Sequence, residues 1–450
     1  MAERLFGTNG VRGIINRDMT SELALQMGKA IGTVMTGTVV IATDTRVSAN
    51  MIKAAVSAGI MSVGKDVLDL GVLPTPAIQY FVKTHSSVGG GVMITASHNP
   101  PEFNGIKCIS ADGTEASREE EIEIEETYSK DLPCEAWNKV GKMEAVNGAG
   151  EDYIDAVIAK VDAKAIRAAK LTVCLDCANG AAFETSPLLL KKLNVRAITI
   201  NSNPQGEFPG HESEPEEKNL KDLMMLTKAT KSNLGIAHDG DADRCVFVTK
   251  DGKFVSGDKS LAILSRYVLS LKKGIVVTPV SSSSLVEEVV IGSGGKLDYT
   301  AVGSPVVARR MMETDAVFGG EENGGLIFPE QQYCRDGAMT VAKMLECIVK
   351  EGPLNKQIET LPVYYTVKVK IACPNDMKKY VSEYLMNEGP KAKVDNTDGL
   401  KLIFDDGWVL ARPSGTEPAF RIYSESKKKD VAEARAAEYE KFVKSFLGRE

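Results

Sequence analysis

The chain has 450 residues, 43% apolar and 26% charged, the balance of an ordinary soluble globular protein, and at about 150 residues per domain it implies three or four domains. A net charge of −7 with no basic tail excludes an extended nucleic-acid surface. No apolar run reaches the ~18 residues of a membrane helix, and the start, MAERLFGTNG, lacks the apolar core of a signal peptide, so a cytoplasmic protein without membrane contact is expected.

In chain order, the first clear unit is TVVIATDT (38–45) as a strand, SANMIKAAVSAGIMSVG as a helix and DVLDLG as a second strand. The same order returns in LTVCLDCANG (171–180), AAFETSPLLLKKLN and VRAITIN, and again in GIVVTPV (274–280), SSSSLVEEVVIGSG and KLDYTAVG. Each unit is followed by a short apolar strand that runs into a polar, glycine-rich loop: GGGVMITASHNP (89–100), NLGIAHDGDADR (233–244) and DAVFGGEENGG (315–325). Alternating strands and helices predict parallel βαβ units, and in open α/β sheets ligands bind beyond the carboxyl ends of the strands.

Three similar mixed α/β domains are therefore expected at 1–148, 149–250 and 251–363, with EAVNGAG and VTKDGKF as joining turns. Beyond them VYYTVKVKIA and GLKLIFDDGWVLARPSG alternate as strands, and KDVAEARAAEYEKFVKSFL is an amphipathic helix, giving a smaller α+β domain at 364–450. The acidic run EASREEEIEIEETYSKD (115–131) reads as a solvated helix face. Of eight cysteines, Cys174 and Cys177 form a C-x-x-C inside a strand, with no second pair at zinc-site spacing, and structural thiols are expected.

HDGDADR carries Asp239, Asp241 and Asp243 at alternate positions. Carboxylates this crowded repel unless a cation lies among them, and an all-oxygen set favours a hard one such as Mg2+ or Ca2+. A calcium EF-hand is excluded because its glycine position is Arg244 and its bidentate Glu position is Lys250. Mg2+ completes its shell with water or phosphate, so a phosphate is the next expectation. RPSGTEPAFRIYSES (412–426) supplies Arg412, Ser414, Gly415, Thr416 and Arg421, the donors of a phosphate cradle, and FGTNGVRG (6–13) adds Thr8, Asn9 and Arg12. A serine hydrolase built on Ser97 and His98 is disfavoured: adjacent side chains in extended chain point apart, and Ser97 lacks a G-x-S-x-G elbow.

Taken together, TASHNPPEFNGIK, DGDADR, GEENGG and RPSGTEP resemble, in that order across the whole chain, the phosphoserine, metal, sugar and phosphate loops of the α-D-phosphohexomutase family. The resemblance implies three α/β domains and a smaller fourth around a cleft. It implies that Ser97 is phosphorylated, that one Mg2+ is held by Ser97, Asp239, Asp241 and Asp243, and that Arg12 and Arg244 stabilise the transferring phosphoryl group. Lys107 falls near the proton transfer, with His98 beside the phosphoserine. Glu321, Asn323 and Gly303 would contact the sugar, and Arg412, Ser414, Gly415, Thr416 and Arg421 the phosphate that is not reacting.

The partner implied is a sugar phosphate, with hexose 1,6-bisphosphate as intermediate and activator, and the protein as monomer or homodimer. RLFGTNGVRG resembles the phosphoglucosamine mutase branch, although Asn323 and Gly325 replace the Ser and His of its usual Gly-Glu-x-Ser-Gly-His, as in archaeal relatives. Glucosamine phosphate is the expected substrate, with phosphomannomutase/phosphoglucomutase activity as the alternative. A non-catalytic phosphosugar sensor would need neither Ser97, nor the three aspartates, nor Lys107.

Overall fold

The computed structural model describes residues 5–7, 9–388, 392–414 and 418–448. The chain forms two compact units, one of the residues up to Ser260 with Asn323–Glu359, the other of Leu261–Glu322 with Thr360 onward.

In the first unit, a six-stranded sheet runs in the order Val11–Ile14, Phe103–Ile109, Val88–Ile94, Thr38–Thr43, Val67–Val72 and Met143–Ala145. Thr38–Thr43 pairs in parallel with both Val67–Val72 and Val88–Ile94. Almost every residue of TVVIAT is buried, as a strand covered on both faces requires. The second sheet repeats the plan, with Thr172–Asp176 parallel to both Arg196–Ile200 and Leu234–His238. In each sheet the third strand of the unit turns back antiparallel, Val88–Ile94 onto Phe103–Ile109 and Leu234–His238 onto Cys245–Thr249.

VTKDGKF forms a hairpin at the edge of the second sheet, where Phe247 and Val248 pair with Val255 and Phe254, because the apolar pair FV finds a partner in CVFVT. The acidic stretch is the helix Arg118–Tyr128, started by a capping box of Ser117 and Glu120; it buries Ile124 and leaves Glu119, Glu123 and Glu126 exposed. Cys174 and Cys177 are buried free thiols, and burial pushes Cys177 up to about 12, leaving it protonated and unreactive.

In the second unit, Ile275–Pro279 pairs in parallel with Lys296–Thr300 and with Phe318–Gly320, a third copy of the same arrangement. The C-terminal sheet is antiparallel, ordered Tyr365–Ala372, Ala419–Ser426, Gly407–Pro413, Leu400–Phe404 and Lys393–Asp395. The helix Lys429–Phe446 buries Ala432, Ala436, Tyr439 and Val443 in a core shared with Ile371, Phe420 and Ile422, the stripe its helical period dictates. The three repeated third strands carry the loops singled out by sequence at their carboxyl ends.

Candidate active site

Ser97 follows the strand Val88–Ile94 and is fully buried, with a left-handed backbone at φ 52°. A non-glycine residue there is strained and persists only where its surroundings hold it. The holding group is Arg46, which the motif reading missed. Its guanidinium donates to the carbonyls of Ser97 (2.9 Å), Asn99 (2.6 Å), Pro100 (2.6 Å) and Phe103 (2.9 Å) and pairs with Asp44 at 3.0 Å. Asp44 also accepts from Thr95 Oγ1 (2.6 Å), and Thr95 Oγ1 accepts from the Ser97 N–H (2.8 Å). Two prolines lock φ in the same turn, so its geometry is set by the chain and by one clamp.

The Ser97 hydroxyl donates to Asp239 Oδ2 at 2.9 Å. Asp239, Asp241 and Asp243 are all buried, with one oxygen of each within 4.8 Å of the others. Burial, then the charges of Asp243 and Asp241, push Asp239 well above the usual carboxylate range. Asp241 goes the other way: against the upward push of burial, the Lys107 ammonium and the Thr75 hydroxyl hold it below that range. Lys107 Nζ lies 2.7 Å from Asp241 Oδ2 and 3.5 Å from Asp243 Oδ2, and Thr75 Oγ1 donates to Asp241 Oδ2 at 2.6 Å. Asp241 Oδ1 and Asp243 Oδ1 are buried without a hydrogen-bond partner. Asp243 Oδ1 has only Arg244 Nε at 3.9 Å nearby, and orphaned carboxylate oxygens at this depth are costly, so the pair fits a hard divalent cation.

Three arginines, together with Lys107, surround the aspartates. Arg12 donates to Asn99 Oδ1 (2.9 Å) and Ala96 O (3.2 Å), so it is fastened to the Ser97 loop. Arg244 donates its backbone N–H to Asp239 Oδ1 (3.1 Å) and its Nη1 to Glu214 Oε1 (2.7 Å). His98 lies 3.3 Å from the other oxygen of Glu214; burial and the charges of Arg244 and Arg12 hold its pKa well below 6.5, so it is neutral at pH 7. Arg335 Nη2 donates to Asp243 Oδ2 at 2.6 Å. Glu214, Arg335 and Thr75 lie outside the quoted motifs, and only tertiary contact reveals them. Lys107, expected near a proton transfer, is paired with Asp241 and Asp243.

Gly240 allows the two loops to meet. A Cβ there would lie 2.6 Å from the Ser97 carbonyl oxygen, below any tolerated contact.

Asn323 uses its side-chain oxygen to accept from the Gly325 N–H (3.0 Å). In the second unit, Glu321 Oε1 accepts from the Gly303 N–H at 3.2 Å, which brings those two expected sugar residues together. Arg412 and Arg421 are directly opposite each other on antiparallel strands. Like charges at such a pair destabilise the sheet, and a bound anion relieves them. Arg412 pairs with Asp398 at 2.9 Å, and Lys378 donates to the Ser414 carbonyl at 2.6 Å, bringing a further cation to this turn. Gly415 and Thr416, like Thr8 of the N-terminal loop, lie outside the described residues.

Three repeated α/β units and a smaller antiparallel domain, with a buried serine hydroxyl against three aspartates, define a class of multidomain enzyme built for phosphoryl groups. The chain matches the family profiles described as phosphoglucomutase/phosphomannomutase alpha/beta/alpha domain I over residues 3–133, domain II over 151–252 and domain III over 256–365, and the C-terminal domain over 369–441. It belongs to the phosphoglucomutase/phosphomannomutase family.

A phosphoglucomutase/phosphomannomutase of Thermococcus kodakarensis is 43% identical over 97% of this chain and 96% of its own. A probable phosphoglucosamine mutase of Methanopyrus kandleri is 41% identical over 98% of each chain. The crystal structure of a phosphoglucomutase/phosphomannomutase family protein from Burkholderia thailandensis superposes with a TM-score of 0.86 at 25% identity, covering 98% of this chain and 97% of that one. Among the described residues no helix is long and apolar enough to cross a membrane.

Proposed function

We propose that the protein interconverts glucosamine 6-phosphate and glucosamine 1-phosphate through a phosphoserine at Ser97. The carrying observation is the Ser97 hydroxyl 2.9 Å from Asp239, within a carboxylate cluster that leaves two oxygens without donors. Asp239, Asp241 and Asp243 would hold one Mg2+ together with an oxygen of phosphoserine 97. When bound, that ion neutralises phosphoryl oxygens as charge moves between donor and acceptor.

The chain's own groups do the rest. Phosphoserine 97 gives its phosphoryl group to the free hydroxyl of the sugar monophosphate; the P–O bond to Ser97 breaks as the bond to the sugar oxygen forms, and the hydroxyl proton leaves to a base. The bound hexose 1,6-bisphosphate then turns over, and its other phosphate returns to Ser97. Arg12 and Arg244, fixed by Asn99 and Glu214, face the equatorial oxygens with little reorganisation, which is where most catalysis of phosphoryl transfer lies. Lys107, its ammonium bonded to Asp241, would stand near the proton transfer as a fixed positive charge, and His98 would sit beside the phosphoserine. Glu321, Asn323 and Gly303 contact the sugar, while Arg412, Ser414, Gly415, Thr416 and Arg421 grip the phosphate that is not reacting.

The relative from Methanopyrus kandleri and this chain's own opening, RLFGTNGVRG, support glucosamine as the sugar. The Thermococcus kodakarensis relative favours a second reading, a phosphoglucomutase/phosphomannomutase. A coupled assay with glucosamine 1-phosphate, mannose 1-phosphate and glucose 1-phosphate separates them; the highest kcat/KM is expected for the first. Peptide mass analysis should place one phosphate on Ser97, and active Ser97→Ala protein would defeat the mechanism.

A further inference from the structure

We propose that Asp398 is a positioning residue that ties the phosphate cradle to the sugar loop, so that gripping phosphate and reading the sugar are one coupled event. This rests on the phosphosugar reading above. Asp398 Oδ2 accepts from the Val302 N–H at 3.0 Å, and the same oxygen lies 2.9 Å from Arg412 Nε, an ion pair by distance without a hydrogen bond. The next backbone N–H, that of Gly303, donates to Glu321 Oε1. Gly303 has φ 135°, a conformation an L-residue rarely adopts, and it opens the helix Ser304–Thr314, so the turn has a specific shape to hold.

A continuous chain of contacts thus runs from Arg412 through one carboxylate oxygen to consecutive peptide groups and then to Glu321. Asp398 has a second reason for being there. Arg412 faces Arg421 across the strands, and the carboxylate offsets that repulsion before phosphate arrives. The Asp398 side chain is 18% exposed and that of Arg412 12%, so neither is a freely solvated surface charge. When phosphate draws Arg412, the displacement reaches the 302–303 turn through Asp398, and with it the carboxylate that faces the sugar hydroxyls.

The test uses the full-length protein and two ligands, hexose 6-phosphate and inorganic phosphate, with dissociation constants measured by calorimetry. Wild type should prefer the sugar phosphate. Asp398→Ala should narrow that preference at least threefold, as should Glu321→Gln, and the double variant should narrow it no further, because both cut one path. A purely local role on the phosphate side would weaken both ligands equally and leave the ratio unchanged. An unchanged ratio, or losses that multiply in the double variant, would overturn the proposal. Should Asp398→Ala melt, Arg412→Lys replaces it: this keeps a cation and removes the Nε that lies against Asp398, and the same non-additivity with Glu321→Gln is expected. Wild-type protein that binds hexose 6-phosphate no better than inorganic phosphate would instead refute the functional reading, and the relay with it.

Discussion

Replacing Arg46 with Met tests how the Ser97 loop is held. The guanidinium is completely buried, pairs with Asp44 and donates to four carbonyls between Ser97 and Phe103. Breaking a buried pair by removing one partner costs about 3–5 kcal/mol, because the other charge stays buried. Each lost hydrogen bond from a charged donor adds about 1.5–3 kcal/mol, so four would sum to more than the loop can bear. The protein escapes by opening the 97–103 turn and letting its carbonyls hydrate, and the observed loss is capped near the cost of that opening. The expected result is local: amide exchange across 97–105 rises by at least 100-fold, turnover falls by a similar factor, and the rest of the first sheet keeps its protection.

Adding Asp44→Asn to Arg46→Met should recover stability by removing the stranded charge, yet leave turnover low because the turn stays open. Unchanged exchange at 97–105 in the single variant, or restored turnover in the double one, would refute the clamp.

Mg2+ should raise the thermal midpoint of the wild-type protein and not that of Asp241→Asn. Saturation at 100 times the dissociation constant contributes about 2.7 kcal/mol, and full turnover in excess chelator would contradict the cation site. Gly240→Ala should lower kcat at least tenfold, since the new methyl meets the Ser97 carbonyl at 2.6 Å and separates the two loops; a crystal structure with the loops unmoved would show the error. His238 donates from Nδ1 to the Arg244 carbonyl and accepts at Nε2 from the Ser186 hydroxyl, while burial pushes its pKa down to about 4. Its folded pKa lies below the unfolded value of about 6.5, so the stability it confers is full above pH 6.5 and is lost as pH falls toward 4. The difference is about 3 kcal/mol, and denaturant unfolding of wild type and His238→Gln at pH 7 and pH 4.5 should show that slope only in the wild type.

The three α/β repeats were legible because a strand buried on both faces needs a continuous apolar run, and the same run recurs as TVVIAT, TVCLD and IVVTP. The aspartate triad was equally legible, since its charges crowd together in sequence and are costly unless a ligand answers them, whereas the opposition of Arg412 and Arg421 came only from the strand register. Where the chain curls back was harder to read: VTKDGKF resembles any joining turn, and only the pairing of Phe247 with Val255 makes it a hairpin.

The sequence by itself therefore determined which chemistry is possible, by setting a hydroxyl and three carboxylates on loops at equivalent places in repeated units, with Arg412 and Arg421 on the smaller antiparallel domain. Tertiary structure decided which groups make that chemistry exact. Arg46, Thr75, Glu214, Arg335 and Asp398 carry no local motif, because a buried charge is chosen by the carbonyls and carboxylates that fold around it. Thr75 and Asp241, for example, stand 166 positions apart, a distance no local pattern spans.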